Sequence, residues 1–447
     1  MSTTGHKTWP KLTSRDEFRF LAEHILKRST GDHTLIALHD QQSGTTRFAN
    51  NQIVQNVDTR RGSLTVTVAF GQRHGTAGTT DFTAGSVQDT VTRATEIARL
   101  SPEDPESLAP VEPQPYLTPP TMRAETAAAG PARRLEYANE AIGQCRMENL
   151  GAAGIVSSSV ATVGVAASTG LFAYEERTDA RFSLTAQAGE ATGWGAAAHR
   201  SIDHLKVQER TLSAIDKAKR GLEVRELPPG RYMVILEPAA VAGLWSALLW
   251  MLDAKSYEKG TSAFSGKLGR LIFDTRLTLR NLPAHEDLFG MGFTADGLPT
   301  VASDWIADGI LTQLAYDRYT AKVRGIGTIP TLDAPCLSGR GSSLPTVHEM
   351  IKSTERAILV TNLWYIRTVN PTDLTLTGMT RDGTFLVENG MIVSAVKNFR
   401  FHESPLRAFN RIEAFTNPTE AITSETGKLL VPAMTLRDFN FSSVTRF

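Results

Sequence analysis

Apolar residues first recur at helical spacing at Phe18, Leu21, Ile25 and Leu26, just behind Ser14-Arg15-Asp16-Glu17. A serine followed three residues on by glutamate is a capping box, which satisfies two orphan N–H groups at a helix start. A first helix is therefore expected here. The period then changes. The runs LIALHD, TTRFANNQIVQNVDT and SLTVTVAFG read as strands, and Leu64 to Phe70 alternates like a half-buried strand. The glycine-rich GQRHGTAGTT that follows reads as a hairpin turn; it has neither GxGxxG nor the Gly-Lys-Ser/Thr ending of a phosphate loop. Helical spacing returns at Val87, Val91, Ala94 and Ala98.

The stretch SPEDPESLAPVEPQPYLTPPTM, residues 101–122, is dense in proline and acid. Proline removes backbone donors and restricts its neighbour, so an extended connection is expected, either a linker between domains or a strap across one. A helix from about Ala132 to Glu148 and more β-type segments complete the first half. Leu227-Pro228-Pro229-Gly230 marks a boundary, giving an N-terminal α/β domain over 1–225 and a C-terminal β-rich domain over 226–447. After it, RYMVILEP reads as a buried strand. It leads into GLWSALLWMLDAKSYEKGTSAFSGKLG, an apolar run carrying Trp245 and Trp250. AILVTNLWYIRTV reads as a long strand. TFLV, Glu388-Asn389-Gly390 and MIVSAV form a hairpin whose Asn-Gly supplies positive φ angles. The fold class is α+β, its C-terminal half built of antiparallel sheets.

Length and composition narrow the function. The chain has 447 residues, with 47 Lys plus Arg against 47 Asp plus Glu. Such a chain has no global field to draw it onto nucleic acid or an anionic membrane, so neither is expected as a partner. The amino terminus lacks the apolar core of a secretory leader, and the longest apolar run, about Val241 to Leu252, is too short to span a bilayer. A soluble cytoplasmic protein is expected. Two cysteines without a CxxC exclude a disulfide framework and a cysteine-rich zinc site.

No motif supplies chemistry. His285-Glu286 and His348-Glu349 lack the second histidine one helical turn on that a zincin pair needs. His199 and His204 sit five apart and would diverge on a helix at about 100° per residue. There is no GxSxG elbow, although a Ser-His-Asp triad need not be local in sequence. Cys336, in a loop-like stretch, reads as an inert thiol. Asp253, Lys255 and Glu258 could line a cleft but read as solvated or paired charges.

Several long strings together resemble the TldD/PmbA family, also called modulators of DNA gyrase or U62-type metallopeptidases. In the first half these are RFANNQIVQNVDT, SLTVTVAFGQRHGTAGTTD and LSPEDPE. In the second they are KGTSAFSGKLG, STERAILVTNLWYIRTVNP, LTGMTRDGTFLVENGMIVSAVKNFRF and VPAMTLRDFNF. The resemblance implies that a catalytic branch carries HExxxH on a helix at fixed distance before GTSxFxGxxG. Two histidines and a downstream cysteine hold zinc there, with glutamate as general base. Counting back from GTSAFSGKLG, the motif positions are Trp245, Ser246 and Trp250, and SETGKLLVPAMTLRD holds no cysteine. An indole N–H only donates, and a serine without an activating partner is no base.

The expectation is therefore no catalytic, cofactor-binding or metal-binding residue in this chain. By the resemblance, it would be the non-catalytic, TldE/PmbA-like subunit of a heterodimeric TldD-type zinc metallopeptidase that processes or degrades peptides. Zinc would sit in the partner carrying HExxxH, and extended or unfolded peptide would add to an exposed strand edge. The alternative is a self-associating peptide-binding protein with no proteolytic partner. The two tryptophans are expected to pack in the core.

Overall fold

The computed structural model describes residues 11–341, 343–423 and 427–445. The residues Met1–Pro10, read for a leader, and Ser424–Thr426, within the stretch searched for cysteine, lie outside the described residues.

The predicted first helix spans Arg15–Arg28, and its capping box forms. Glu17 Oε2 accepts from Ser14 N at 2.7 Å, while Ser14 Oγ accepts from Glu17 N. Six strands follow the alternating pattern: β1 (His33–Ala49), β2 (Gln52–Phe70), β3 (Arg73–Thr79), β4 (Gly151–Ala167), β5 (Phe172–Ala188) and β6 (Ala191–His199). They form one antiparallel sheet in the order β3-β2-β1-β4-β5-β6.

All the helices of this half cover one face. Ile36, Leu38, Val66 and Val68 pack against Arg15–Arg28 and Ala84–Leu100, which buries Val87, Val91 and Ala94. Ala180, Phe182, Leu184 and Ala186 of β5 pack against Pro131–Met147 and Val207–Arg220. On the opposite face, Val165, Leu171 and Ala173 pack against Phe293 of the second half.

Two local readings change. TTRFANNQIVQNVDT is not one strand: Asn50 and Asn51 adopt φ of +49° and +60° and fold the run into the β1–β2 hairpin. Asparagine tolerates the left-handed region, so an Asn-Asn pair can turn where Asn-Gly usually does. GQRHGTAGTT does turn, at Gly71 with φ +55°, but most of it is the edge strand β3. Gly75 is needed there, because a Cβ would lie 2.3 Å from the Ala98 backbone nitrogen.

The second half contains two sheets. In the larger, Arg356–Asn370 pairs with Gly230–Leu236 on one side and with Thr375–Glu388 on the other. Met434–Val444 and Phe399–Glu403 complete the circuit, so five strands close into a ring. Inside it, the Phe399 and Phe441 rings stack at 4.5 Å. Asn389 and Gly390, at φ +51° and +78°, make the expected hairpin.

The sheets are mixed rather than wholly antiparallel. Gly230–Leu236 with Arg356–Asn370, Pro335–Gly339 with Gly427–Val431, and Val224–Arg225 with Met391–Val396 all run parallel. Parallel neighbours need long crossovers. The crossover after Gly230–Leu236 holds the tryptophan helix and four strands of the smaller sheet.

Residues 101–122 contain no helix or strand and act as a strap onto the second half. Tyr116 Oη donates to Gly297 O at 2.7 Å, Glu106 pairs with Lys255 at 2.8 Å, and Ala109 O accepts from Arg318.

Candidate functional site

The tryptophan helix spans Pro238–Leu249, with proline at its first turn, where no N–H is lost. Gly243 brings it close to Arg356–Asn370; an added Cβ would sit 3.1 Å from Ile366 Cδ1. Between the helix and this strand lies a cleft of about 760 Å³, and Thr185 and Trp194 reach it from β5 and β6.

Aromatic rings and guanidinium groups line the cleft. Trp364 and Tyr365 are 46% and 52% exposed. Arg381 lies 4.4 Å above the Trp364 ring, and Arg367 lies 4.3 Å from that of Tyr365. The ladder to Thr375–Glu388 shifts register between Trp364 and Arg367, and Tyr365 has φ +53°. A bulge of this kind turns side chains out of the regular alternation. On the other side, the ladder with Gly230–Leu236 covers only Ile358 to Val360. Beyond Val360 that edge has no strand partner among the described residues, so the aromatic side chains stand beside an open strand edge. Sequence reasoning missed this group. Its signal was Trp-Tyr standing where the apolar run of the strand gives way to an exposed half.

The three singled-out helix positions diverge. Trp245 is 1% exposed, with ring centroids 5.3 Å from Phe273 and 5.2 Å from Phe409. Its indole N–H is buried with no acceptor among the described residues. Ser246 is buried, and its hydroxyl donates to Ala242 O at 2.8 Å. Trp250 caps the helix and is 67% exposed, so it does not pack in the core as expected. Five positions at about 100° each leave it roughly 140° round the helix from Trp245.

Three family models match successive stretches: PmbA/TldA metallopeptidase domain 1 over residues 36–98, the central domain over 122–222 and the C-terminal domain over 229–443. The chain belongs to the PmbA/TldD metallopeptidase family. The fold agrees. TldE from Thermococcus kodakarensis superposes with a TM-score of 0.85 at 19% identity, covering 95% of this chain and 99% of that one. A Thermotoga maritima protein, described as a candidate modulator of a DNA gyrase, gives 0.83 at 17% identity over 95% and 99%. A Methanothermobacter thermautotrophicus protein named metalloprotease is 25% identical over 189 residues, which is 39% of this chain and 41% of that protein.

A PmbA/TldD metallopeptidase implies a metal, and the side chains at the motif positions do not fit one. The Trp245 indole and the Ser246 hydroxyl are committed to the core, Trp250 points to solvent, and none of the three is a metal ligand of the usual kind. Ser262 and Phe264 of the GTSAFSGKLG segment pack beneath the helix end, with Ser262 Oγ donating to Met251 O at 2.7 Å. Among the described residues, no group of three or more His, Cys, Asp or Glu could hold a metal ion.

The other candidates resolve individually. Asp253 caps Ala254–Glu258, Lys255 pairs with Glu106, and Glu258 pairs with Arg324 at 2.5 Å. Cys336 lies on the strand Pro335–Gly339, not in a loop, and burial raises its thiol pKa. His348 sits on the short helix Val347–Lys352, and His285 Nδ1 accepts from Asp287 N. His199 and His204 do meet, against the helical expectation, with rings 4.6 Å apart. His199 ends β6 and His204 closes a tight turn, so helical divergence does not apply. Asp287 lies 3.6 Å from His199. Burial, then Lys428 and His204, push the His199 pKa below its usual value.

Proposed function

We propose that the chain is the non-catalytic, TldE-like subunit of a cytoplasmic, heterodimeric TldD-type zinc peptidase. The partner supplies HExxxH and the zinc. This chain supplies the cleft beside Pro238–Leu249, where extended or unfolded peptide adds to the free edge beyond Val360 and seats side chains on Trp364 and Tyr365. The observation that carries the reading is the state of the motif helix: Trp245 is built into the core where a ligand would stand, and Ser246 is bonded to its own helix. An intact cleft beside a helix unsuited to a metal supports a binding role within the family.

The test mixes the chain with an HExxxH-bearing homologue and measures mass and peptide cleavage for each protein alone and for the mixture. A one-to-one complex that cuts peptides, with no cleavage by this chain alone, is expected. A stable homodimer that ignores the homologue would favour a self-associating peptide binder. Stoichiometric zinc and cleavage in the isolated chain would defeat both readings.

A further inference from the structure

The uncovered face of the first sheet carries a second cleft, of about 500 Å³, between β1, β4, β5 and Phe289. Strand register builds it. Thr45, Ser157 and Arg181 lie in one cross-strand row; Ser43, Ser159 and Asp179 form the next; Gln41, Ala161 and Arg177 form the third. These positions alternate with the buried side chains of β5, so they share the open face.

The lining of this cleft is predominantly cationic. Three guanidinium groups, of Arg177, Arg181 and Arg200, line it with one carboxylate, Asp179. Arg181 already holds Asp179 through two bonds of 2.8 Å. Arg200 is 3% exposed, donates to the carbonyls of Thr121, Thr178 and Gly290, and lies over Phe289 at 5.4 Å. Arg177 donates to Met291 Sδ. Among the described residues, neither Arg177 nor Arg200 has a carboxylate within 4.0 Å. Nearby Glu175 accepts from Gly292 N at 2.8 Å. Burial depresses the pKa of both arginines, that of Arg200 to about 10, against the opposing pull of the Glu175 carboxylate. The Ser157 and Ser159 hydroxyls form no side-chain hydrogen bond among the described residues and add donors beside these cations.

We propose that this cleft binds a carboxylate, from an acidic side chain or from the free C-terminus of an extended peptide. A guanidinium fork matches a carboxylate, and the low-dielectric floor strengthens the pairing. The inference rests on the peptide-binding reading and deepens it. Thr185, which lines the aromatic cleft, lies four positions along the same face of β5 from Arg181. At about 3.3 Å per residue that is roughly 13 Å, the reach of about four extended peptide residues. One peptide can therefore occupy both clefts, its acid placed about four residues from the aromatic anchor.

The test measures fluorescence anisotropy of three labelled peptides of equal length on the full chain: a Glu-containing amidated peptide, a Gln-containing one with a free C-terminus, and a Gln-containing amidated one. At least one carboxylate-bearing peptide is expected to bind about tenfold more tightly than the neutral one. The first two peptides distinguish side chain from terminus. Arg177→Gln should remove the difference and Arg177→Lys should keep part of it. Ser159→Asp, on the open face away from the core, should abolish it by like-charge repulsion even if Arg177→Gln folds poorly. Equal binding of all three peptides, or indifference to both Arg177→Gln and Ser159→Asp, overturns the carboxylate site and leaves the peptide reading standing. Failure of every peptide to bind overturns both.

Discussion

Trp245 stacks on Phe409 with 24° between the ring planes, at the position where the catalytic branch of the family is expected to carry its first histidine. The two rings share a core with Phe264 and Phe273, so the space beside the helix is filled by hydrocarbon. Trp245→Ala is expected to cost about 3–5 kcal/mol, the range for deleting a large buried ring. Trp250→Ala should stay within about 0.5 kcal/mol, as an exposed substitution. Urea denaturation of the two variants checks the contrast; equal losses would refute it.

Rebuilding the motif as Trp245→His, Ser246→Glu and Trp250→His is expected to give neither zinc binding nor peptidase activity. The new histidine at the helix end would face solvent, and the new glutamate would replace a buried hydroxyl bonded to Ala242 O. A carboxyl placed there is desolvated and unpaired. Metal analysis and a peptide assay of the triple variant test the first statement. A lower melting temperature than that of the parent tests the second.

The His199–His204 pair predicts a pH dependence. The folded-state pKa of His199 is depressed, chiefly by burial and then by Lys428 and His204, while Asp287 and the Ser201 backbone oppose the shift. A depressed histidine binds protons more weakly folded than unfolded. Its neutral form is therefore fully tolerated above the ordinary value near 6.5, and stability falls as pH drops through that value toward the lower folded one. Melting temperature should decline on acidification across this window, and His199→Gln should flatten the decline. Identical slopes would exclude His199 as the cause.

The strap makes a graded prediction. Tyr116→Phe removes the bond to Gly297 O and should cost about 1 kcal/mol. Glu106→Gln loosens only an exposed pair with Lys255 and should change little. Limited proteolysis within residues 101–122 should accelerate for the first variant alone.

Features that depend on neighbouring residues were legible in the sequence. The Ser14–Glu17 capping box, the alternation from Leu64 to Phe70 and the Asn389-Gly390 turn each follow from local chemistry, and each is present. The Asn50-Asn51 turn was hidden because both flanks read as strand and no glycine marked it. The meeting of His199 with His204 depends on a strand ending in a tight turn, which helical arithmetic does not describe. At the candidate site, the helix was located by counting back from GTSAFSGKLG, but the opposite fates of Trp245 and Trp250 depend on where the helix stops. Trp364, Tyr365, Arg367 and Arg381 become one group only through the pairing of two strands, which no sequence spacing encodes.

The indole buried against Phe273 and Phe409 acts as a ratchet. Replacing Trp245 with a smaller ligand first opens a void, and the benefit of binding an ion arrives only after several further changes. A chain that has filled this space with an indole is held away from metal binding by its own interior.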